Sequence, residues 1–267
     1  MRIPLFQVDA FTSEIFGGNP AAVCPLTGWL PDHTLQAIAR ENNLSETAFF
    51  VRDGDRYQLR WFTPEVEVDL CGHGTLASAA VLFGRLRPEL SAVTFTSQSG
   101  PLVVLREGDL LVLDFPSRPP RSIDIDEKVV AALGARPIEL HSSRDLLAVF
   151  AREEDVRALR PSFDRMLALG TRAIIVTAPG DQVDFVSRFF APGGGIMEDP
   201  VTGSAHCTLI PYWKAKLGRS RLHARQISAR GGELFCEDRG ERVRIGGHAA
   251  FFMEGQITLP DDRGAVR

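Results

Sequence analysis

Gly193–Leu209, GGGIMEDPVTGSAHCTL, is the stretch whose reading decides the fold. It changes character midway. Three glycines and an acidic turn ending in Pro200 come first, with few side chains to bury. Gly203 then opens a run, SAHCTLIPYWKAKLG, that predicts a helix stopped at Gly218, with Thr202 and Ser204 as candidate N-caps. A helix N-terminus leaves backbone N–H groups unpaired and carries partial positive charge, so it suits a carboxylate or phosphate. Glu198 and Asp199 lie just before it. On this stretch alone, an ordinary capped helix behind a glycine loop would read the same way.

A second stretch answers the first. Arg60-Trp-Phe-Thr-Pro64 precedes EVEVDLCGHGTLASAAVLFGRL, as Arg188-Phe-Phe-Ala-Pro192 precedes the glycine run. The offset is 188 − 60 = 128 residues, close to half of 267. At that offset Cys71 falls on Asp199, and one residue on, His73-Gly74-Thr75 falls on Thr202-Gly203-Ser204. A β-rich segment follows each predicted helix: FTSQSGPLVVLREGDLLVLDF and ISARGGELFCEDRGERVRIGG. The pattern predicts an internal repeat of one α/β unit. Two such units face to face aim two helix N-termini at one cleft, a good geometry for holding a small acid.

Composition narrows the class. The chain is 44% hydrophobic with a net charge of −4 and no long basic run, which argues against nucleic acid as a partner. The start, MRIPLFQVDAF, lacks the apolar core of a signal peptide, and runs such as LASAAVLF are too short to span a membrane. A cytosolic protein without membrane association is expected. Cys24, Cys71, Cys207 and Cys236 are widely spaced, so neither a disulfide framework nor a bound metal is expected. No G-x-G-x-x-G or GxxxxGK[ST] occurs, so a nucleotide cofactor has no support.

Along the chain, strands are predicted at 4–11, 21–26, 45–51 and 57–62, with a helix from Asp32 to Asn43. A helix is expected over Gly74–Leu86, then at least two strands in 93–115. Pro116–Asp126, with its three prolines, reads as a linker between an N-terminal half, 1–115, and a C-terminal half, 116–267. Short helices follow at 127–134 and 153–159, with strands at 146–151, 171–178 and 183–190. Four more strands fall between 221 and 259, and the polar tail from Asp261 is expected to fray. Strands outnumber helices, and each half has one long central helix, which gives an α+β fold.

Several residues could carry chemistry. Glu46 stands at the mouth of an apolar strand, where a carboxyl is shielded and suits proton transfer; a surface Glu at a strand end is the plainer reading. Cys71 precedes a helix start, where a thiolate is favoured, although a buried packing cysteine would look alike. His73 lies between two glycines. Asp199 is a second acid/base candidate or an anchor of its turn. Ser204 binds a carboxylate or merely caps its helix. Cys207 is assigned to packing, and Gly17-Gly18-Asn19-Pro20 to a turn.

These motifs carry a resemblance. FGGNPAAVCPL, Ser45-Glu-Thr-Ala-Phe49, Asp69-Leu-Cys-Gly-His-Gly-Thr75 and Glu198-Asp-Pro-Val-Thr-Gly-Ser-Ala-His206 resemble the phenazine-biosynthesis PhzF-like family, which is related to diaminopimelate epimerase. The resemblance runs essentially end to end. It implies two pseudo-symmetric halves, each a β-sheet rolled around a central helix, with the first half completed by a C-terminal strand near 249–260. It implies a homodimer and proton chemistry without a cofactor, moving a proton on a small carboxylic acid held between the halves. By position, Glu46 matches the family's general acid/base, Gly72 and His73 its ligand contacts in the first half, and Asp199, Gly203 and Ser204 those in the second. The resemblance supports isomerase chemistry more than any one biosynthetic pathway. The epimerase relatives use two opposed cysteines; Cys71 matches the first, while the second falls in the Asp199 region. A Cys71-dependent epimerase or racemase of an amino acid, and a non-catalytic small-acid binding protein, are the alternatives.

Overall fold

The computed structural model describes residues 1–260; the tail from Asp261 lies outside them. The first repeat contains β1 (Arg2–Ala10), β2 (Asn19–Leu26), α1 (Asp32–Asn42), β3 (Glu46–Asp53), β4 (Arg56–Phe62) and β5 (Glu67–Val68). Helix α2 (Gly72–Val81) follows, extended by a π turn over Leu82–Leu86, then β6 (Ala92–Ser97), β7 (Gly100–Glu107) and β8 (Leu110–Pro116). The second repeat has β9 (Arg121–Ile123), α3 (Glu127–Leu133), β10 (Glu139–Ser142), β11 (Leu146–Val149), α4 (Glu153–Ala158) and α5 (Phe163–Ala168). It continues with β12 (Ile174–Pro179), β13 (Phe185–Ala191), β14 (Ile196–Asp199) and α6 (Gly203–Leu217). It ends with β15 (Arg221–Gln226), β16 (Gly232–Asp238), β17 (Arg242–Gly247) and β18 (Ala249–Thr258).

The strand pairings confirm the repeat. In the first half β2–β3 is parallel, β3–β4 antiparallel, β4–β6 parallel, then β6–β7 and β7–β8 antiparallel. The second half gives the same series through β11–β12, β12–β13, β13–β15, β15–β16 and β16–β17. The edge strands are exchanged. After β17 the chain crosses back, and β18 pairs with β1; after β8 it crosses forward, and β9 pairs with β10. Residues 121–123 of the expected linker are therefore a strand of the sheet. Antiparallel pairing of β8 with β17 joins the two rolls.

The two axial helices explain their own sequences. Gly72, Gly74, Thr75 and Ser78 are poor helix formers, and together they disfavour α2 by about 2–3 kcal/mol. Leu76, Val81 and Leu82 are fully buried, and each contributes about 1.5–3 kcal/mol, so packing inside the roll outweighs propensity. Both helices are apolar on nearly every side, as axial helices must be. α2 starts at Gly72, two residues earlier than expected, because Cys71 is the cap: its sulfur accepts the Gly74 N–H at 3.3 Å. In α6, Pro211 lacks the N–H that would bond the Cys207 carbonyl. The backbone N–H of Arg118, in the crossing segment, donates to that carbonyl instead at 2.9 Å.

Each roll carries the same latch. Arg60 grips Glu67 with two hydrogen bonds, both 2.7 Å, and its guanidinium stands over the Phe62 ring. Arg188 grips Glu198 at 2.7 and 2.9 Å and stands over Phe190. Arg188 also donates to the carbonyls of Val156 and Leu159, tying the α4 region to the sheet. Its side chain is only 11% exposed. Arg188→Met strands a shielded carboxylate and is expected to cost about 3 kcal/mol in urea unfolding. The exposed pair Arg136–Glu127 supplies the contrast, with Arg136→Met expected below about 1 kcal/mol.

The latches also reset the repeat register. Arg60 to Arg188 is 128 residues, but Glu67 to Glu198 is 198 − 67 = 131, and Gly72 to Gly203 is again 131. Three extra residues sit in the second loop, in and around the glycine run. Cys71 is therefore equivalent to Thr202, since both are helix N-caps. Asp199 is equivalent to Val68, since Trp61 pairs with Val68 as Phe189 pairs with Asp199. The alignment of Cys71 with Asp199 is corrected accordingly.

Candidate active site

The GGNP turn is an anchor. Gly18 has φ +59°, and a Cβ there would lie 2.2 Å from the Ala10 carbonyl oxygen, so only glycine fits. Its N–H donates to Gly231 O of the other half at 2.7 Å, and Arg230 bonds the Gly17 and Gly18 carbonyls and Asp9. This fixes Asn19, the first residue of β2 and fully buried. Its Nδ2 donates to Asp199 Oδ1 at 2.8 Å and to Val201 O at 2.9 Å, and lies 3.2 Å from His73 Nδ1. Those two oxygens set the amide orientation. One side chain thus ties the start of α2 to the approach to α6.

Glu46 opens β3, in register with Ala21, and is only 9% exposed. His73, in the first turn of α2, places Nε2 3.0 Å from Glu46 Oε2. The contact is off hydrogen-bond alignment, and this buried oxygen has no hydrogen-bond partner among the described residues. The Cys71 sulfur stands 3.6 Å from His73 Nδ1 and 3.9 Å from Nε2. Burial lowers the basicity of His73, but the Cys71 sulfur and the Glu46 carboxylate outweigh it and hold the imidazole well above its ordinary pKa. Burial, reinforced by Glu46, holds the Cys71 thiol above its ordinary value.

The two helix ends meet: a Cβ on Gly72 would lie 3.7 Å from Gly203 Cα. The bare glycine backbones let the first-turn amides converge, with their dipoles aimed at one place. Asp199 ends β14 and is 7% exposed. It accepts from Asn19 on one oxygen and from the Thr202 hydroxyl on the other. Gln226 locks the same turn, donating to Asp199 O and accepting the Thr202 N–H, both at 2.8 Å. Burial raises Asp199 from its ordinary 3.8 to about 6; His73 works against this and Glu46 adds to it.

The structure thus brings together Glu46, Cys71, Gly72, His73, Asp199 and Gly203. Thr202 holds the N-cap position, but its hydroxyl serves Asp199 and not the helix. Ser204 lies in the first turn of α6 rather than at the cap, and its hydroxyl has no partner among the described residues. Glu198, one residue from Asp199, is occupied by Arg188. All four cysteines are free and buried, with Cys207 in the core as expected.

Sequence reading missed Asn19, which it took for part of a turn, and Trp61. Among the described residues, the Trp61 indole N–H, close to Gly74, and Asn19 Oδ1, beside His73, are buried without a partner. Glu46 Oε2, 3.0 Å from His73 Nε2, makes no aligned hydrogen bond among the described residues. Each unpaired buried group costs about 1–3 kcal/mol, so such a concentration marks a place built to meet a ligand. Glu46, Cys71 and His73 also offer donor atoms within 4.8 Å of one another, a cluster the sequence spacing did not foresee. The set fits zinc chemically, as a borderline ion taking N, O and S donors.

Comparison with known proteins places this geometry. The family model for phenazine biosynthesis-like proteins matches residues 8–255. The chain is 53% identical to an uncharacterized isomerase of Pseudomonas aeruginosa, covering 97% of this chain and all of the relative. It is 41% identical to the human phenazine biosynthesis-like domain-containing protein, with the same coverage. A crystal structure of a PhzF-family phenazine biosynthesis protein from Enterococcus faecalis superposes with a TM-score of 0.95 at 51% identity, covering 97% of this chain and all of that one. A hydroxyproline epimerase from Agrobacterium vitis shares the fold alone, with a TM-score of 0.63 at 10% identity over 96% of this chain and 91% of its own. By the family match over residues 8–255 and these identities, this chain belongs to the phenazine biosynthesis-like family.

Proposed function

We propose that the protein is a cofactor-independent isomerase that moves a proton between carbons of a small carboxylic acid bound between the halves. The observation that carries this is the shielded Glu46 carboxylate, with one oxygen unpartnered, set against His73 at the meeting point of two helix N-termini. The isomerases among its relatives support the reaction class. Glu46 takes a proton from carbon: the C–H bond breaks, an O–H bond forms on Glu46, and the electron pair moves toward the substrate carboxylate. Amides at Gly72–His73 and Gly203–Ser204, with the Ser204 hydroxyl, hold that carboxylate as charge accumulates. A well-placed donor of this kind is worth about 10²–10³ in rate. Glu46 then returns its proton to another carbon of the same molecule. Asp199 and Asn19 fix the positions of His73 and of the α6 turn.

The nearness of Cys71 to His73 favours a second reading, an epimerase with Cys71 as a base. It has no thiol opposite, since the equivalent position is Thr202, and burial pushes the Cys71 thiol up, away from the thiolate. Cys71→Ser is expected to keep proton exchange within about tenfold of wild type, well inside the 10²–10⁴ that a general base contributes. Complete loss of exchange in Cys71→Ser would transfer the role to the thiol. Exchange is also expected to survive treatment with EDTA and dialysis. Loss on chelation, restored by zinc, would instead make the Glu46–Cys71–His73 cluster a working metal site.

A further inference from the structure

A cavity of about 690 Å³ opens between the halves next to the helix ends. Leu70 and Phe115 line it; Leu70 directly precedes the Cys71 cap, and the Phe115 ring lies against Gly72. The Phe115 ring therefore stands between the cavity and the start of α2. The cavity's size is that of a pocket for a whole small ligand, far more than one carboxylate requires.

Two arginines distinguish its lining. Arg118 and Arg144 both face it, and among the described residues neither guanidinium has a hydrogen bond or ion pair. The third arginine there, Arg242, is already held by Asp114 at 2.6 Å. Asp69 also lines the cavity. Asp145, buried nearby, attracts both arginines without bonding either, and its Oδ1 has no hydrogen-bond partner among the described residues. The backbones that carry the two free cations are fixed. Arg118 N–H fills the gap left by Pro211 at Cys207 O, and Ser143 Oγ donates to Arg118 O at 3.3 Å. Arg144 is the next residue after Ser143, in the tight turn between β10 and β11. Two unpaired guanidiniums lining one cavity form a ready clamp for an anion.

We propose that this cavity receives the far end of the substrate, so that the acid turned over carries a second anionic group, held by Arg118 and Arg144. The inference rests on the proton-shuttle reading only in assuming that the near end of the same molecule reaches Glu46. The second group is a carboxylate or a phosphate, since either accepts paired guanidinium hydrogen bonds.

Calorimetric titration of the full chain at low salt tests it, with glutarate and inorganic phosphate as dianion probes and butyrate as the monoanion. Glutarate or phosphate is expected to bind at least about tenfold more tightly than butyrate, the scale of one charge-assisted contact. Arg118→Ala and Arg144→Ala are each expected to reduce that preference, and the double variant to remove it, while Glu46→Gln keeps it. Glutarate ahead of phosphate assigns a dicarboxylic acid; phosphate ahead of glutarate assigns a phosphorylated one. Equal binding of all three by the wild type, or a preference that survives in the double variant, overturns the proposal. Carbon-bound proton exchange is read separately. A silent exchange assay with the dianion preference intact defeats the proton shuttle alone, and the converse result defeats the clamp alone.

Discussion

Glu46→Gln is expected to reduce proton exchange by about 10²–10⁴-fold while leaving acid binding nearly unchanged. The substitution keeps the volume of the side chain and the β3 register with Ala21, so β2 and β4 remain paired on either side. The amide cannot accept a proton from carbon. The helix-end amides and Ser204, which hold the carboxylate in this account, are untouched. A spectroscopic consequence accompanies the kinetic one. His73 owes part of its raised pKa to Glu46, so its imidazole should titrate at lower pH in Glu46→Gln, as NMR of the ring protons would record. Unchanged exchange with a shifted His73 would make Glu46 a partner of the histidine and nothing more.

Asp199→Asn is expected to trade activity for stability. Burial holds the Asp199 carboxyl at about 6 rather than 3.8. Between about pH 4 and 6 the folded protein keeps a proton there that the unfolded chain releases, so stability falls as pH rises through that window and the deficit is constant above it. At neutral pH the deficit amounts to about 3 kcal/mol. Asparagine removes the charge but can still accept from Asn19, and the Thr202 hydroxyl can turn to accept in its place. Urea unfolding at pH 7 should therefore show Asp199→Asn up to about 3 kcal/mol more stable than wild type, with the gain shrinking toward pH 4. Exchange should fall, because the carboxylate that balances His73 across Asn19 is gone. A variant that is less stable at pH 7 would show that the hydrogen bonds of Asp199 outweigh its buried charge.

Much of this architecture is legible in the residues. Gly203 and Gly218 bound α6 as helix punctuation should, and Gly134 closes α3. The repeat is visible because Arg60 and Arg188 each need an aromatic residue two positions on and a glutamate across the hairpin. The register beyond the latch is not legible. The glycine run that signals a loop also conceals the three residues by which the second loop is longer, so Cys71 seemed to match Asp199. Short elements escaped for a different reason. β9 and β10 have three and four residues, too few to show a period, and they form because β10 pairs with β9 on one side and with β11 on the other. Asn19 escaped because an Asn-Pro pair after two glycines satisfies every local criterion for a turn. Its role exists only once Asp199, 180 residues away, is folded against it.

The central claim is that Glu46 carries a proton to and from carbon. It is tested most directly by incubating wild type, Glu46→Gln and Cys71→Ser in heavy water with a panel of dicarboxylic, phosphorylated and amino acids, following carbon-bound deuterium by NMR. The account predicts a substrate that takes up deuterium with wild type and Cys71→Ser but not with Glu46→Gln. Deuterium uptake at the wild-type rate in Glu46→Gln would contradict it.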